Sequence, residues 1–136
     1  GAVLGDGGAL AKMLPAFKMG VGGRLGDGDQ YMSWIHIDDV VAAIVHVLEH
    51  DDCSGAFNLT APEPATNGAF TRALGKALRR PTVLPVPGFA LRLAFGEMAE
   101  QVLLTGQRVV PKRLLDAGFT FRHPDLGAAL AAALAT

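Results

Sequence analysis

Apolar and polar positions alternate along the chain with two different periods, which predict short strands and amphipathic helices. Residues 1–5 have the pattern of the end of a short buried strand, and residues 31–37 that of a second extended segment. Apolar side chains at helical spacing predict a helix over 8–19, which Pro15 weakens or kinks. Residues 20–30 are rich in glycine and predict a loop that is long enough to be functional.

The segment after the second strand predicts a helix that has Asp38 as its N-cap and runs to about Glu49. Its expected buried stripe consists of Val40, Val41, Ile44, Val45 and Leu48. His46 and His50 lie four residues apart on the other, polar side of this helix. Because no third metal ligand is near them in the sequence, we expect a solvated face there.

The second half of the chain continues the alternation of strands and helices. A strand is predicted over 56–60, and a helix capped by Thr66 or Asn67 is predicted to end near Leu78. Further along, the patterns predict an extended piece at 82–86, helices near 88–104 and 111–117, and an alanine-rich helix opened by Pro124. This order of elements favours an α/β architecture.

The composition narrows the class of protein. Half of the 136 residues are hydrophobic and 18% are charged, which supports a buried core. The formal net charge of −1 offers no electrostatic basis for binding nucleic acid or an anionic membrane, and no apolar run approaches the roughly 18 residues of a membrane span. The single cysteine, Cys53, excludes an internal disulfide and a cysteine-based metal site. We expect a soluble, cytoplasmic domain, or a piece of a larger one since the first residue is Gly1.

Two glycine-rich segments are candidates for phosphate binding. Residues 5–10 lie between a strand and a helix, but Leu10 stands where a dinucleotide fingerprint has its third glycine, so a plain turn is favoured. The loop at 20–30 lacks the Lys-Ser/Thr ending of a P-loop. Both a ligand-facing loop and a surface connection remain open for it.

Two groups of polar side chains are candidates for a binding site. His36, Asp38 and Asp39 could form a metal or acid–base cluster, but their spacing matches no established metal pattern and Asp38 suits a helix cap, so no metal site is predicted. Arg108 lies between two helical patterns. Its guanidinium group either pairs with an anionic ligand or makes a structural ion pair.

The run GDGDQYMSWIHIDDV at residues 26–40 is more specific than any of these features. It resembles the second half of extended short-chain dehydrogenases/reductases, the superfamily of sugar-nucleotide epimerases and dehydratases. The finer resemblance is to NAD(P)-dependent epimerase-like proteins with a DUF1731-type C-terminal domain. The segments 58–62, 96–99, 107–111 and 118–124 support it.

This resemblance implies a fold and a division of the chain. Residues 1–80 would be the C-terminal part of a Rossmann-like α/β domain, and residues 81–136 a small, mostly helical DUF1731-like region. The family's catalytic Tyr-x-x-x-Lys pair is absent, because the single tyrosine, Tyr31, is followed four residues later by Ile35. The glycine fingerprint of the cofactor site is also absent. We therefore predict no catalytic or cofactor-binding residue in this chain, and we expect NAD(P) in a parent protein but not in the chain alone.

The resemblance implies the substrate side of an NAD(P)-dependent oxidoreductase or sugar-nucleotide epimerase that is inactive alone. We predict a substrate wall made of Gln30, Met32, Trp34 and Arg108, which would contact a small-molecule substrate in the parent protein. Gln30 would hydrogen-bond a polar group and Arg108 would attract an anion, while Met32 and Trp34 give apolar surface or face the core. Met32 stands where sugar-nucleotide enzymes of the family usually carry an arginine. This difference weakens the assignment of a sugar-nucleotide substrate. The alternative is a non-catalytic binding or oligomerisation module that self-associates through an exposed half-sheet.

Overall fold

The computed structural model describes residues 2–5, 7–25, 28–50, 58–83, 85–86 and 110–135. The strands are β1 (Ala2–Leu4), β2 (Tyr31–Met32), β3 (Trp34–His36) and β4 (Ala65–Thr66). The helices are α1 (Gly8–Lys18), α2 (Ile37–Glu49), α3 (Asn67–Leu78), α4 (Lys112–Asp116) and α5 (Leu126–Leu134). In the part of the chain that is described, no helix has the length and apolar character needed to cross a membrane. The α/β class expected from the sequence is confirmed.

A β–α–β unit forms the centre of the fold. β1 and β3 pair in parallel, with Ala2 opposite Trp34 and Leu4 opposite His36, and α1 lies in the connection between them. A parallel pair needs such a crossover, because its strands must start at the same end. β2 and β4 form a separate antiparallel pair. The predicted extended segment at 31–37 is therefore two short strands separated at Ser33, and it ends at His36.

Two apolar clusters lie on opposite sides of the β1–β3 pair. Successive strand residues point to opposite faces, so Trp34 enters one cluster and Ile35 the other. The larger cluster joins β1, β3, α1, α3 and α5 through Leu4, Leu10, Phe17, Trp34, Phe70, Leu74 and Leu130. The smaller cluster consists of Ile35, Ala43, Leu114, Phe119 and Phe121. The C-terminal segment thus contributes to both clusters.

Helix α2 differs from its prediction in two ways. Its N-cap is His36, whose ring Nδ1 accepts a hydrogen bond from the Asp38 N–H at 3.0 Å, so Asp38 lies inside the first turn. The expected buried stripe is largely exposed, with Val41 at 56% and Leu48 at 77% of their maximal accessibility. Ile44 and Val45 are exposed as well.

The buried side of α2 instead carries Asp39 and Ala43. His46, expected on a solvated face, is half-buried, and its Nε2 lies 2.9 Å from the Ala117 carbonyl oxygen. Its ring also contacts Phe119 edge-on. This side of the helix faces residues 117–123, which supply polar partners for Asp39 and His46 and apolar contacts for Ala43. Of the predicted stripe, Val40 packs against the smaller apolar cluster, whereas the described residues leave Val41, Ile44, Val45 and Leu48 uncovered.

The other helices follow the sequence prediction more closely. Thr66 caps α3, its Oγ1 accepting a hydrogen bond from the Ala69 N–H at 3.1 Å. Gly118 follows α4 with a φ of 83°, a value that favours glycine. The last helix begins at Leu126, after the Asp125 cap, rather than at Pro124. Residues 58–60 are not a strand, and the remainder of that predicted strand and the helix near 88–104 lie outside the described residues.

We predict opposite effects of alanine at two helical glycines. A Cβ at Gly75 in α3 would lie 2.5 Å from Thr82 Cγ2 and 3.0 Å from the Arg80 carbonyl oxygen, whereas a Cβ at Gly127 in α5 meets only Asp125 Oδ2 at 3.5 Å. Gly75→Ala should lower the free energy of unfolding by about 1–3 kcal/mol through overpacking. Gly127→Ala should raise it by up to about 1 kcal/mol, the helix-propensity difference. Urea unfolding of both variants checks this, and equal effects would contradict the packing at Gly75.

Candidate functional site

The glycine-rich loop before β2 is bound to the N-terminus of α3 by the Asn67 side chain and by two backbone hydrogen bonds. Asn67, which is only 3% exposed, accepts a hydrogen bond from the Leu25 N–H through its Oδ1 at 2.6 Å. The backbone N–H of Asn67 donates to the Gln30 carbonyl oxygen at 2.7 Å, and the Gly68 N–H donates to Gly28 O at 2.8 Å. The first donors of α3 are therefore satisfied by the loop, which leaves them unavailable to an anionic ligand.

Asn67 bonds to two residues of the predicted substrate wall, Gln30 and Met32. The Gln30 side chain is half-buried and donates from Nε2 to the Leu25 carbonyl oxygen at 3.1 Å. The Asn67 amide donates from Nδ2 to Met32 Sδ at 3.2 Å. Met32 also packs against the larger apolar cluster. Asn67 was expected only as an alternative helix cap, and nothing in its sequence context indicates that it organises the loop.

Trp34 and Arg108 are placed differently from these two residues. Trp34 is only 1% exposed and belongs to the larger apolar cluster, so of the two roles foreseen for it the structure shows core packing. Its indole Nε1 is buried and has no hydrogen-bond partner among the described residues. Arg108 lies outside the described residues. The assignment of these four residues to a substrate wall stays a prediction.

A second polar group lies at the N-terminus of α2. The Asp39 carboxylate is fully buried, with 0% exposure, and it accepts two backbone hydrogen bonds. Oδ1 accepts from the Arg122 N–H at 2.8 Å and Oδ2 from the His123 N–H at 3.0 Å. These bonds hold residues 122–123 against α2 and compensate much of the cost of burying the carboxylate.

Two histidine rings stack beside a second carboxylate, that of Asp38. The ring centroids of His36 and His123 are 3.9 Å apart, with an angle of 28° between the ring planes. Asp38 Oδ2 lies 3.3 Å from His123 Nε2 and 3.6 Å from His36 Nδ1. Burial lowers the pKa of His36, and the neighbouring His123 lowers it further. His123 was missed by the sequence reasoning, since it is 85 residues from Asp38 and no local pattern connects them.

The exposed side of α2 borders a shallow groove of about 680 Å³. Val41 and Val45 line it from the helix, and Phe119 and Arg122 line it from the C-terminal segment. The groove therefore continues the exposed apolar face of α2 onto the smaller apolar cluster.

Comparison with known proteins identifies two family segments in the chain. Residues 5–60 match the NAD dependent epimerase/dehydratase family, and residues 86–133 match a domain of unknown function, DUF1731. Among the similar proteins, an epimerase family protein of Mycobacterium leprae, ML0860, is 48% identical over 125 residues. The alignment covers 92% of this chain and 41% of that protein. Human epimerase family protein SDR39U1 is 43% identical, over 96% of this chain and 45% of its own length.

Solved structures show the same relationship. The crystal structure of human SDR39U1 isoform 2 with NADPH matches with a TM-score of 0.91 and 40% identity, covering 100% of this chain and 46% of that one. A nucleoside-diphosphate sugar epimerase from Corynebacterium glutamicum matches with a TM-score of 0.70 and 32% identity, covering 98% of this chain and 25% of its own.

The β–α–β unit and these matches define a Rossmann-like protein of the extended short-chain dehydrogenase/reductase type. The chain belongs to the NAD-dependent epimerase/dehydratase family, in the subgroup that carries a DUF1731 region, as in the SDR39U1-type proteins. It spans about 41–45% of the length of these relatives. The resemblance stated from residues 26–40 is confirmed.

We predict that Asn67→Ala loosens the loop at residues 25–32. The substitution removes the buried acceptor of the Leu25 N–H and the donor to Met32 Sδ. It should lower the free energy of unfolding by about 1–3 kcal/mol, the usual cost of leaving a buried group unsatisfied. Amide hydrogen exchange should also accelerate in this loop. Asn58→Ala, at an exposed asparagine, is the control; an equal effect of the two variants would contradict the role of Asn67.

We predict a larger loss for Asp39→Ala. The variant leaves the Arg122 and His123 N–H groups without their buried acceptor, which should cost about 2–5 kcal/mol. Urea unfolding measures the loss, and the two backbone amides should exchange faster in the folded state. Asp116→Ala, at an exposed carboxylate in the last turn of α4, should change stability by less than about 0.5 kcal/mol. Unchanged exchange at residues 122 and 123 would show that Asp39 does not hold them.

Proposed function

We propose that this chain is the C-terminal, substrate-side part of an NAD(P)-dependent oxidoreductase or epimerase. The observation that carries the proposal is the agreement of the whole chain with an NADPH-bound protein at a TM-score of 0.91. The relatives are more than twice as long as the chain, and the family's Tyr-x-x-x-Lys pair is absent from it. The cofactor site and the acid–base tyrosine would therefore be contributed by another part of the parent protein, and the chain alone would be inactive.

The exposed face of α2 supports the proposal that another part of the parent protein packs against this chain. Val41, Ile44 and Leu48 present an apolar surface that the described residues leave open, and Val3 on β1 is 39% exposed. In the described part of the chain, β1 pairs on one side only, with β3. Parallel sheets are normally covered on both faces. The nucleotide-binding half of the parent protein would extend the sheet from β1 and cover α2.

The substrate wall is the role we propose for Gln30, Met32, Trp34 and Arg108. Asn67 bonds to the Gln30 carbonyl oxygen and to Met32 Sδ, and we propose that the Gln30 amide and the Met32 thioether would face the same ligand in the parent protein. Trp34 would support Met32 from the core. Arg108 would supply the positive charge for an anionic group. A thioether cannot pair with a diphosphate, so this wall suits a small molecule with a single anionic group better than a sugar nucleotide.

We also propose that the chain divides near residue 80, into segments 1–80 and 81–136. The two family matches, at 5–60 and 86–133, lie on either side of this point. The division would be one of sequence family rather than of separate folding units, because α5 packs against α3 in the larger apolar cluster. The cytoplasmic location expected from the sequence stays a prediction.

The proposal is tested on the full-length parent protein and on this chain in parallel. We expect NADPH to bind the parent protein and not the chain alone. Quenching of the protein's tryptophan fluorescence by NADPH measures this binding. With a substrate found by screening NADPH oxidation, Gln30→Ala and Arg108→Ala should each lower kcat/KM about tenfold or more, since hydrogen bonds to charged groups contribute about 1.5–3 kcal/mol. Lys112→Ala, at an exposed residue of α4, is the control. Unchanged kinetics in both wall variants would refute the wall, and tight NADPH binding by the chain alone would refute the division.

The second candidate function is a non-catalytic binding or oligomerisation module, which would use the same exposed face of α2. Under this proposal the chain alone self-associates through that face, because large exposed apolar patches mark interaction surfaces. The double variant Val41→Glu/Leu48→Glu should then shift the chain to a monomer in analytical ultracentrifugation. Ala131→Glu, at an exposed position of α5, should leave the association unchanged. A monomeric wild-type chain that binds no hydrophobic dye would exclude this function.

A further inference from the structure

We propose that His36, Asp38 and His123 form a binding site for a divalent transition-metal ion of the zinc class. This site does not depend on the proposed function, since it lies at the N-terminus of α2 and not at the substrate wall beside Asn67. Each of the three residues offers one ligand atom, and these atoms all lie within 4.8 Å of one another.

The spacing of the ligand atoms is close to that of a tetrahedral site. Metal–ligand bonds of about 2.05 Å at tetrahedral angles place neighbouring ligand atoms about 3.3 Å apart. Asp38 Oδ2 lies 3.3 Å from His123 Nε2 and 3.6 Å from His36 Nδ1. Binding would require the two stacked rings to turn so that both nitrogens point at the same ion, with His36 Nδ1 leaving the Asp38 N–H.

The chemistry of the three ligands selects the kind of metal. Imidazole nitrogens favour zinc, cobalt, nickel and copper over magnesium or calcium, which prefer sites made of oxygen atoms. Two imidazoles and one carboxylate are also a known ligand set for zinc sites that keep a position open for water. The Asp38 side chain is 55% exposed, so solvent reaches the site and can complete the coordination.

The surroundings give two reasons for moderate affinity. His36 is only 5% exposed, and its Nε2, which has no hydrogen-bond partner in the described part of the chain, lies across the ring from the ligand atom Nδ1. Its Nδ1, however, accepts the Asp38 N–H, and a metal would have to displace that bond. The positive end of the α2 dipole also opposes a cation. We therefore expect a dissociation constant of about 1–100 μM rather than the tighter binding of structural zinc sites.

A bound ion would connect distant parts of the chain. His36 and Asp38 belong to the start of α2, whereas His123 belongs to the segment that Asp39 holds by its backbone. Because the unfolded chain does not bring these residues together, metal binding should stabilise the folded state. The ion would act beside the Asp39 contact and strengthen the same connection.

The site is tested by titrating the chain with Co²⁺ and then displacing it with Zn²⁺. We expect the visible absorption of a tetrahedral Co²⁺ centre at one equivalent, its loss on adding Zn²⁺, and a higher Tm in the presence of Zn²⁺. His123→Phe keeps an aromatic ring against His36 but removes the ligand nitrogen. It should weaken metal binding by more than about tenfold. Changes outside the coordination sphere already weaken binding by about 10–100-fold, and the loss of a ligand should cost at least as much. Asp38→Asn should do the same and serves if His123→Phe fails to fold.

The control is His50→Phe, in the other stacked histidine pair. His46 and His50 have ring centroids 4.0 Å apart and are four residues apart on α2, so they could bind an ion weakly on their own. His50→Phe should leave the Co²⁺ spectrum and the affinity unchanged. The proposal is overturned if wild type shows no tetrahedral Co²⁺ spectrum at about 1 mM metal, tenfold above the upper end of the expected dissociation constants. It is also overturned if His50→Phe loses binding while His123→Phe and Asp38→Asn retain it.

Discussion

The burial of the Asp39 carboxylate governs how residues 122–123 pack against helix α2 in this structure. Asp39 lies in the first turn of α2 with no exposed surface, where an isolated charge would be costly. Two backbone N–H groups from residues 122–123 compensate this cost, and the positive end of the helix dipole favours the charge as well. The requirement to satisfy Asp39 therefore determines where the segment after α4 lies. With that segment in place, Phe119 and Phe121 enter the smaller apolar cluster, and the ring of His123 stacks on His36.

The elements that could be predicted from the sequence are those whose signals are local. The helix capped by Thr66, the turn at Gly118 and the strand before residue 5 each depend on neighbouring residues, and the structure contains all three. The orientation of α2 could not be predicted in this way. Periodicity shows which residues share a face, but it does not show which face is covered. Here the side that carries Asp39, Ala43 and His46 is buried, and the described residues leave Val41, Ile44 and Leu48 exposed.

The candidate sites were only partly visible in the sequence for the same reason. The run at 26–40 identified the family, because it combines several residue types in a fixed order. Gln30 and Met32 are both held by Asn67, which lies on a different element and carries no distinctive motif. The pairing of His36 with His123 joins residues that are far apart in the chain. A single sequence contains no signal for such contacts, since they result from tertiary packing rather than from local spacing.

The position of α5 has a consequence for the synthesis of the protein. This helix is made after every other described element, yet Leu130 is fully buried in the cluster that contains Leu4, near the start of the chain. During translation, the apolar surfaces of β1, α1 and α3 therefore remain without their final partner until residues 126–134 have left the ribosome. Such partly assembled intermediates expose apolar surface and are prone to aggregation. The nascent chain thus depends on rapid completion, or on chaperones that shield these surfaces, more than a fold closed by neighbouring elements would.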